Sequence, residues 1–201
     1  MRRDGINFPD ISRWLYYCKD VGAETNEYLF SRLGALYQKA PKAAVLLFVG
    51  TTGGDPGHAL AFYRWVKFLN IPLITVGIGE IASCGSIILL VGNKRYLLPG
   101  THIYFHVGTS STSAETQRIE AKGRIKVLEH EEKQMREIIC AQTLLKPAQL
   151  SKYEMSSRFI SDEKAVEYGF ASKIVGGLAP DLINRENRVV RKPKFRLVAR
   201  R

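Results

Sequence analysis

Ser83 and His106 are the residues whose types and surroundings could form a nucleophile and its base. Ser83 stands in Ala82-Ser83-Cys84-Gly85, between an apolar run and an apolar helical stretch that begins at Ile87. A serine at a helix N-terminus has its hydroxyl near aligned backbone N–H groups and the positive end of the helix dipole. An alkoxide or oxyanion is stabilised there, but a serine in that place can also simply cap the helix. His106 lies in Tyr104-Phe105-His106-Val107 and reads either as a base or as a satisfied core histidine. Thr52-Gly53-Gly54 follows an apolar run. Adjacent glycines let a backbone approach a ligand closely, and their N–H groups can hold an anion. A plain turn before a helix uses the same residues. On a strand, His102 and His106 would sit ~13 Å apart, too far to share an ion. Cys18, Cys84 and Cys140 are odd in number and lack C-x-x-C spacing, so no zinc site or disulfide framework is indicated. Cys18 and Cys140 are expected to be buried as small apolar residues. No metal and no cofactor is expected.

These residues need a scaffold, and the pattern supplies one. A strand is predicted at 13–17 and a helix at 25–38, through Tyr28, Leu29, Leu33, Leu36 and Tyr37. The short apolar run at 43–49 has the look of a buried parallel strand. A loop dense in turn residues covers 50–57, followed by a helix at 58–69 and a second apolar strand at 71–78. Residues 79–86 read as a turn of mostly small residues leading into the helix at 87–91. Short strands are predicted at 95–98 and 103–107, then a long charged helix at 112–143 and another at 147–155. Ser161 can cap a helix at 162–168 that Gly169 closes, before a last strand at 171–175. Strands alternating with helices give an α/β fold with mainly parallel pairing.

The 201 residues suit one domain, or one domain with a tail. The expected division is 1–177 for the domain and 178–201 for a basic C-terminal tail. Residues 181–201 hold eight basic and two acidic side chains, so six units of the +11 net charge sit there. The rest is only mildly basic. No arginine-rich helix or RNA-binding motif accompanies the tail, which argues against a nucleic-acid function. No apolar run approaches the roughly 18 residues that span a bilayer, and no signal peptide follows Arg2-Arg3. The expectation is a cytoplasmic protein without a membrane partner.

Taken in order, Thr52-Gly53-Gly54, Ala82-Ser83-Cys84-Gly85, Leu98-Pro99 and Phe105-His106 resemble the proteolytic subunit of the Clp protease. That family carries a Pro-Gly-Gly loop, an Ala-Ser-Met-Gly nucleophile turn, a Leu-Pro turn and a Met-Ile-His strand. Arg158-Phe159-Ile160-Ser161, with Glu163, Ala165 and Glu167-Tyr168-Gly169, is similar to a further family segment. The resemblance implies a crotonase-like, ClpP-type spiral of ββα units with a long handle helix. It implies a serine endopeptidase with Ser83 as nucleophile, His106 as base and the N–H groups of Gly54 and Cys84 as oxyanion hole. It also implies paired heptameric rings, formed by one chain or as a mixed ring. The substrates would be unfolded polypeptides delivered by an AAA+ unfoldase.

The pattern breaks at the third catalytic position, where the family's aspartate is expected and Ser157 stands. A hydroxyl can orient an imidazole but cannot hold the charge that steadies an imidazolium. In a chymotrypsin-like protease an Asp-to-Asn change there lowers kcat about 10⁴-fold, or ~5.5 kcal/mol. Glu154 and Asp162 lie nearby at the wrong spacing and read as a solvated carboxylate and a helix-start residue. The protein is therefore expected to be a weakly active peptidase or a structural Clp-like subunit. A crotonase-fold acyl-CoA enzyme would use the same kind of oxyanion hole, but has no need for this serine and histidine.

Overall fold

The computed structural model describes residues 2–3, 6–106, 118–156 and 158–176. The strands are β1 (Arg2–Arg3), β2 (Ile6–Asn7), β3 (Trp14–Tyr17), β4 (Val45–Thr51), β5 (Leu73–Ala82), β6 (Lys94–Leu97), β7 (His102–Tyr104), β8 (Phe159–Ile160) and β9 (Lys173–Ile174). The helices are α1 (Ala23–Lys39), α2 (Pro56–Phe68), α3 (Gly85–Leu90), α4 (Arg118–Gln142), α5 (Pro147–Glu154) and α6 (Asp162–Glu167). β3, β4, β5, β6 and β9 pair in that order, all parallel, as the alternating pattern of strands and helices predicts.

Side-chain alternation along β4 shows how the sheet is covered. Val45, Leu47 and Val49 enter the main core with Leu29 and Leu33 of α1, Phe62 and Val66 of α2, and Ile87 to Leu90 of α3. Leu46 faces the other way, into a smaller cluster with Ile74, Val76 and Tyr96. Ile6 and Phe8 from the N-terminal segment cover part of that second face.

β5 positions the site because its ten residues serve two neighbours. Ile74 to Gly77 pair with β6, while Glu80 to Ala82 pair with β7. The chain crosses between the two partners through Leu98-Pro99-Gly100-Thr101. The buried Thr101 hydroxyl lies 2.7 Å from the Leu98 carbonyl and 3.1 Å from that of Gly77. The Gly100 N–H donates to Asp162 at the start of α6 at 2.7 Å. The turn is thereby fixed from both sides, and β7 is delivered beside the end of β5.

Some expectations change. Residues 79–82, read as a turn because of Gly79 and Glu80, continue β5. Cys84, not Ser83, occupies the N-cap of α3. Cys18 is exposed and Cys140 half-buried, because Cys18 follows the end of β3 and Cys140 sits beside Ile139, the one buried position among residues 120–142 of α4. Ser157, the expected helix start at 112–117 and the tail at 178–201 lie outside the described residues. Among the described residues, no helix is long and apolar enough to cross a membrane.

Candidate active site

Ser83 adopts φ +52, one of two non-glycine residues with positive φ among those described. The left-handed region costs roughly 1–2 kcal/mol for a residue with a Cβ, and serine has less local compensation than asparagine. The surroundings hold it there. The Ser83 N–H donates to the Tyr104 carbonyl of β7 at 2.8 Å. Its carbonyl accepts from the Ser86 hydroxyl at 2.8 Å and the Ser86 N–H at 3.2 Å. The serine thus sits on a sharp strand-to-helix turn. His106 is two residues beyond the carbonyl that anchors it.

The glycine loop packs directly on this turn. Gly53 has φ +102, and a Cβ there would lie 2.8 Å from the Ser83 Cβ. Gly54 has φ +145, and a Cβ would lie 2.3 Å from the Val21 carbonyl. Val21 donates to the Gly53 carbonyl at 2.7 Å and accepts from the Asp55 N–H at 2.8 Å, which pins the loop as a short parallel bridge. Thr51 Oγ1 accepts from the Gly53 N–H at 3.1 Å. Asp55 caps α2 by accepting from the His58 N–H at 2.9 Å. Its carboxyl is pushed up by burial, but the His58 N–H and imidazole outweigh that and hold it below the ordinary aspartate range.

Cys84 is fully buried, and that burial pushes its thiol up to about 12. It is therefore protonated at neutral pH and no rival to Ser83 as a nucleophile. The backbone N–H groups of Cys84 and Gly54 both act on this sulfur and partly offset the push.

Gly54, Ser83 and His106 line a single cavity of about 280 Å³. Its far wall is α4, with Met135 and Arg136, and α5, with Glu154. A hollow of about 350 Å³ between α2 and α4 and one of about 590 Å³ beside Tyr153 and Met155 are larger. Neither is lined by both a serine and a histidine, so the smaller cavity is the better candidate. His102 points elsewhere, its ring edge-on to Phe159 at 5.6 Å.

Glu154 is the residue that sequence spacing misplaced. Its side chain is only 11% exposed, and Arg136 Nε donates to its Oε1 at 2.9 Å. The signal that marks it is its position as the last residue of α5, where the helix end meets the cavity. Asp162 remains a helix-start residue and turns to the Gly100 loop instead.

Residues 10–177 match the family model for the Clp protease. The chain is 25% identical over 165 residues to the ATP-dependent Clp protease proteolytic subunit 2 of Treponema denticola, covering 81% of this chain and 82% of that protein. It is 30% identical over 151 residues to the chloroplastic ATP-dependent Clp protease proteolytic subunit 4 of Arabidopsis thaliana, covering 74% of this chain and 51% of the relative. With subunit 3 of Streptomyces coelicolor the identity is 27% over 165 residues, 79% of this chain and 75% of the other. The match extends from before β3 to beyond β9 and takes in both the Ser83 turn and the glycine loop, and this chain belongs to the Clp protease family.

Proposed function

We propose that the chain is a serine endopeptidase subunit that cleaves unfolded polypeptides inside an oligomeric chamber in the cytoplasm. Ser83 Oγ attacks the scissile carbonyl while His106 accepts its proton. The tetrahedral oxyanion is held by the N–H groups of Gly54 and Cys84. His106 then returns the proton to the leaving amine, and a water, deprotonated by His106, releases the acyl group from Ser83. Backbone donors are indifferent to their side chains, so Cys84 serves where the family pattern has methionine.

The observation that carries this reading is the left-handed Ser83 at the end of β5, in one cavity with His106. A helix cap would have no use for strained backbone there, and Cys84 occupies the cap position instead. The relatives are named ATP-dependent proteolytic subunits, which supports a partnership with an AAA+ unfoldase and a ring of identical or mixed subunits.

The test is labelling of the assembled protein by a serine-reactive fluorophosphonate, mapped by mass spectrometry and paired with light scattering. Labelling at Ser83 that disappears in Ser83→Ala and falls strongly in His106→Ala is expected. A large particle that never labels would identify a structural subunit instead.

A further inference from the structure

Building on the peptidase reading, we propose that Glu154 is the carboxylate that orients His106, and that Arg136 competes with the imidazole for it. In the sequence Ser157 stands where the family's aspartate is expected, so the resemblance supplies no carboxylate at the third position. The cavity brings one. Glu154 lines the same hollow as Ser83 and His106, from the segment that leads to Ser157.

Three features single it out. Its side chain is 11% exposed, and a carboxylate so sheltered is seldom found without a partner. The partner it has is incomplete. Arg136 gives a single Nε bond to Oε1, not the two-pronged fork that guanidinium and carboxylate can make. A carboxylate accepts about four hydrogen bonds, so capacity remains for an imidazole N–H. Arg136 is itself 46% exposed, so water can solvate it when Glu154 turns away, and the exchange costs little.

The pair also joins two helices. Arg136 rides on α4 and Glu154 ends α5, so a small shift of α4 relative to α5 decides whether the carboxylate faces the guanidinium or His106. Glu154 is thus a positioning residue whose availability depends on where α4 sits. Glu132 on α4 is the other carboxylate of the cavity and the direct competitor for this role.

The experiment uses the full-length assembled protein. Fluorophosphonate labelling rates at Ser83 are compared for the wild type, Glu154→Gln, Glu154→Asp, Arg136→Gln and Glu132→Gln. Histidine ¹⁵N NMR, with His106 assigned through His106→Gln, reads the tautomer of that ring. Glu154→Gln is expected to slow labelling about tenfold or more, with Glu154→Asp retaining part of the rate. Arg136→Gln is expected to accelerate it about tenfold, because the competent fraction rises. A merely structural ion pair predicts the opposite sign for Arg136→Gln, since both variants would then loosen the same contact.

The Nδ1–H tautomer of His106 is expected to lose population in Glu154→Gln and to gain it in Arg136→Gln. If the wild type never labels but the tautomer responds this way, the peptidase reading fails while the role of Glu154 stands. If Ser83 labels and neither the rate nor the tautomer responds to Glu154→Gln, the proposal is overturned and the peptidase reading stands. Loss confined to Glu132→Gln overturns it as well.

Discussion

Ser83 keeps its left-handed backbone under the hydrogen bonds to Tyr104 and Ser86, and Gly53 packs tightly against it. A methyl group at Gly53 would meet the Ser83 Cβ at 2.8 Å and the Ala82 carbonyl at 3.0 Å, on a backbone of φ +102. Gly53→Ala is therefore expected to cost about 2–3 kcal/mol and to abolish fluorophosphonate labelling. Gly100 supplies the control. It has φ +79 with open space around it, so Gly100→Ala carries the backbone penalty of about 1–2 kcal/mol without a clash. It is expected to label normally. Urea unfolding and labelling of the two variants separate site geometry from backbone strain, and equal labelling would show that the Gly53 contact is irrelevant to Ser83. The cysteines give a second check at this scale. With its thiol near 12, Cys84 is about 10⁻⁴ thiolate at pH 8, while Cys18 is exposed. Iodoacetamide is expected to modify Cys18 in the folded protein and Cys84 only after unfolding. Early modification of Cys84 would mean that the turn beside Ser83 opens in the native state.

The elements are held in register by a few polar anchors. Arg95 of β6 has no carboxylate partner among the described residues. It donates to the carbonyls of Phe170, Gly169 and Gln142 and to the Gln142 side chain, over distances of 2.9–3.2 Å. It thereby ties the end of α4 and the segment before β9 to the sheet. Arg95→Lys keeps the charge but not the fork, and is expected to lower stability by about 3 kcal/mol in urea unfolding. A loss below 1 kcal/mol would show that the lysine, or water, replaces the bonds. At the start of α2, Asp55→Ala removes a cap and is expected to cost about 1 kcal/mol. The Asp55 carboxyl is held below its ordinary value of 3.8 in the native state, so its stabilisation is present above that value and is lost as pH falls through the lower native one. The difference between wild type and Asp55→Ala should be constant near neutrality and close in acid. Such anchors are hard to read from sequence, where Arg95 is one charge among many, whereas the elements themselves were largely legible. Apolar runs and turn residues marked β4, α2 and α6, with Ser161 and Gly169 at the ends of α6. The C-terminal half of β5 was not legible, because Gly77, Gly79 and Glu80 interrupt its apolar pattern while its role comes from pairing with β7. Ser83, His106 and the glycines were visible as residue types. Glu154 was visible as a nearby carboxylate but read as solvated, since its place in the cavity depends on the meeting of α4 and α5.

At the scale of the whole molecule, α4 is little covered by its own subunit among the described residues. Its 25 residues span ~37 Å, yet among residues 120–142 only Ile139 is buried. The core reaches it through its C-terminal half, where Met135, Ile138 and Ile139 pack. Further toward its N-terminus, Ile125 and Val127 are 45% and 57% exposed. They are two residues apart and so point to different sides of the helix, which one flanking core cannot cover. Gly123 adds a residue of low helix propensity to the same stretch. A helical segment with this composition and so little tertiary support is marginal on its own. Contact with α4 of another copy would cover both sides, in keeping with the paired rings and handle helix that the family resemblance implies. The double variant Ile125→Lys/Val127→Lys places two charges in that contact and leaves the subunit core untouched. Its particle mass by light scattering is expected to fall to about half that of the wild type, with urea stability of the subunit changed by less than about 1 kcal/mol. Labelling of Ser83 should fall with the mass, because Arg136 and Met135 carry the cavity wall on the same helix. An unchanged mass would place the exposed face of α4 outside the assembly and leave the helix dependent on its own subunit alone.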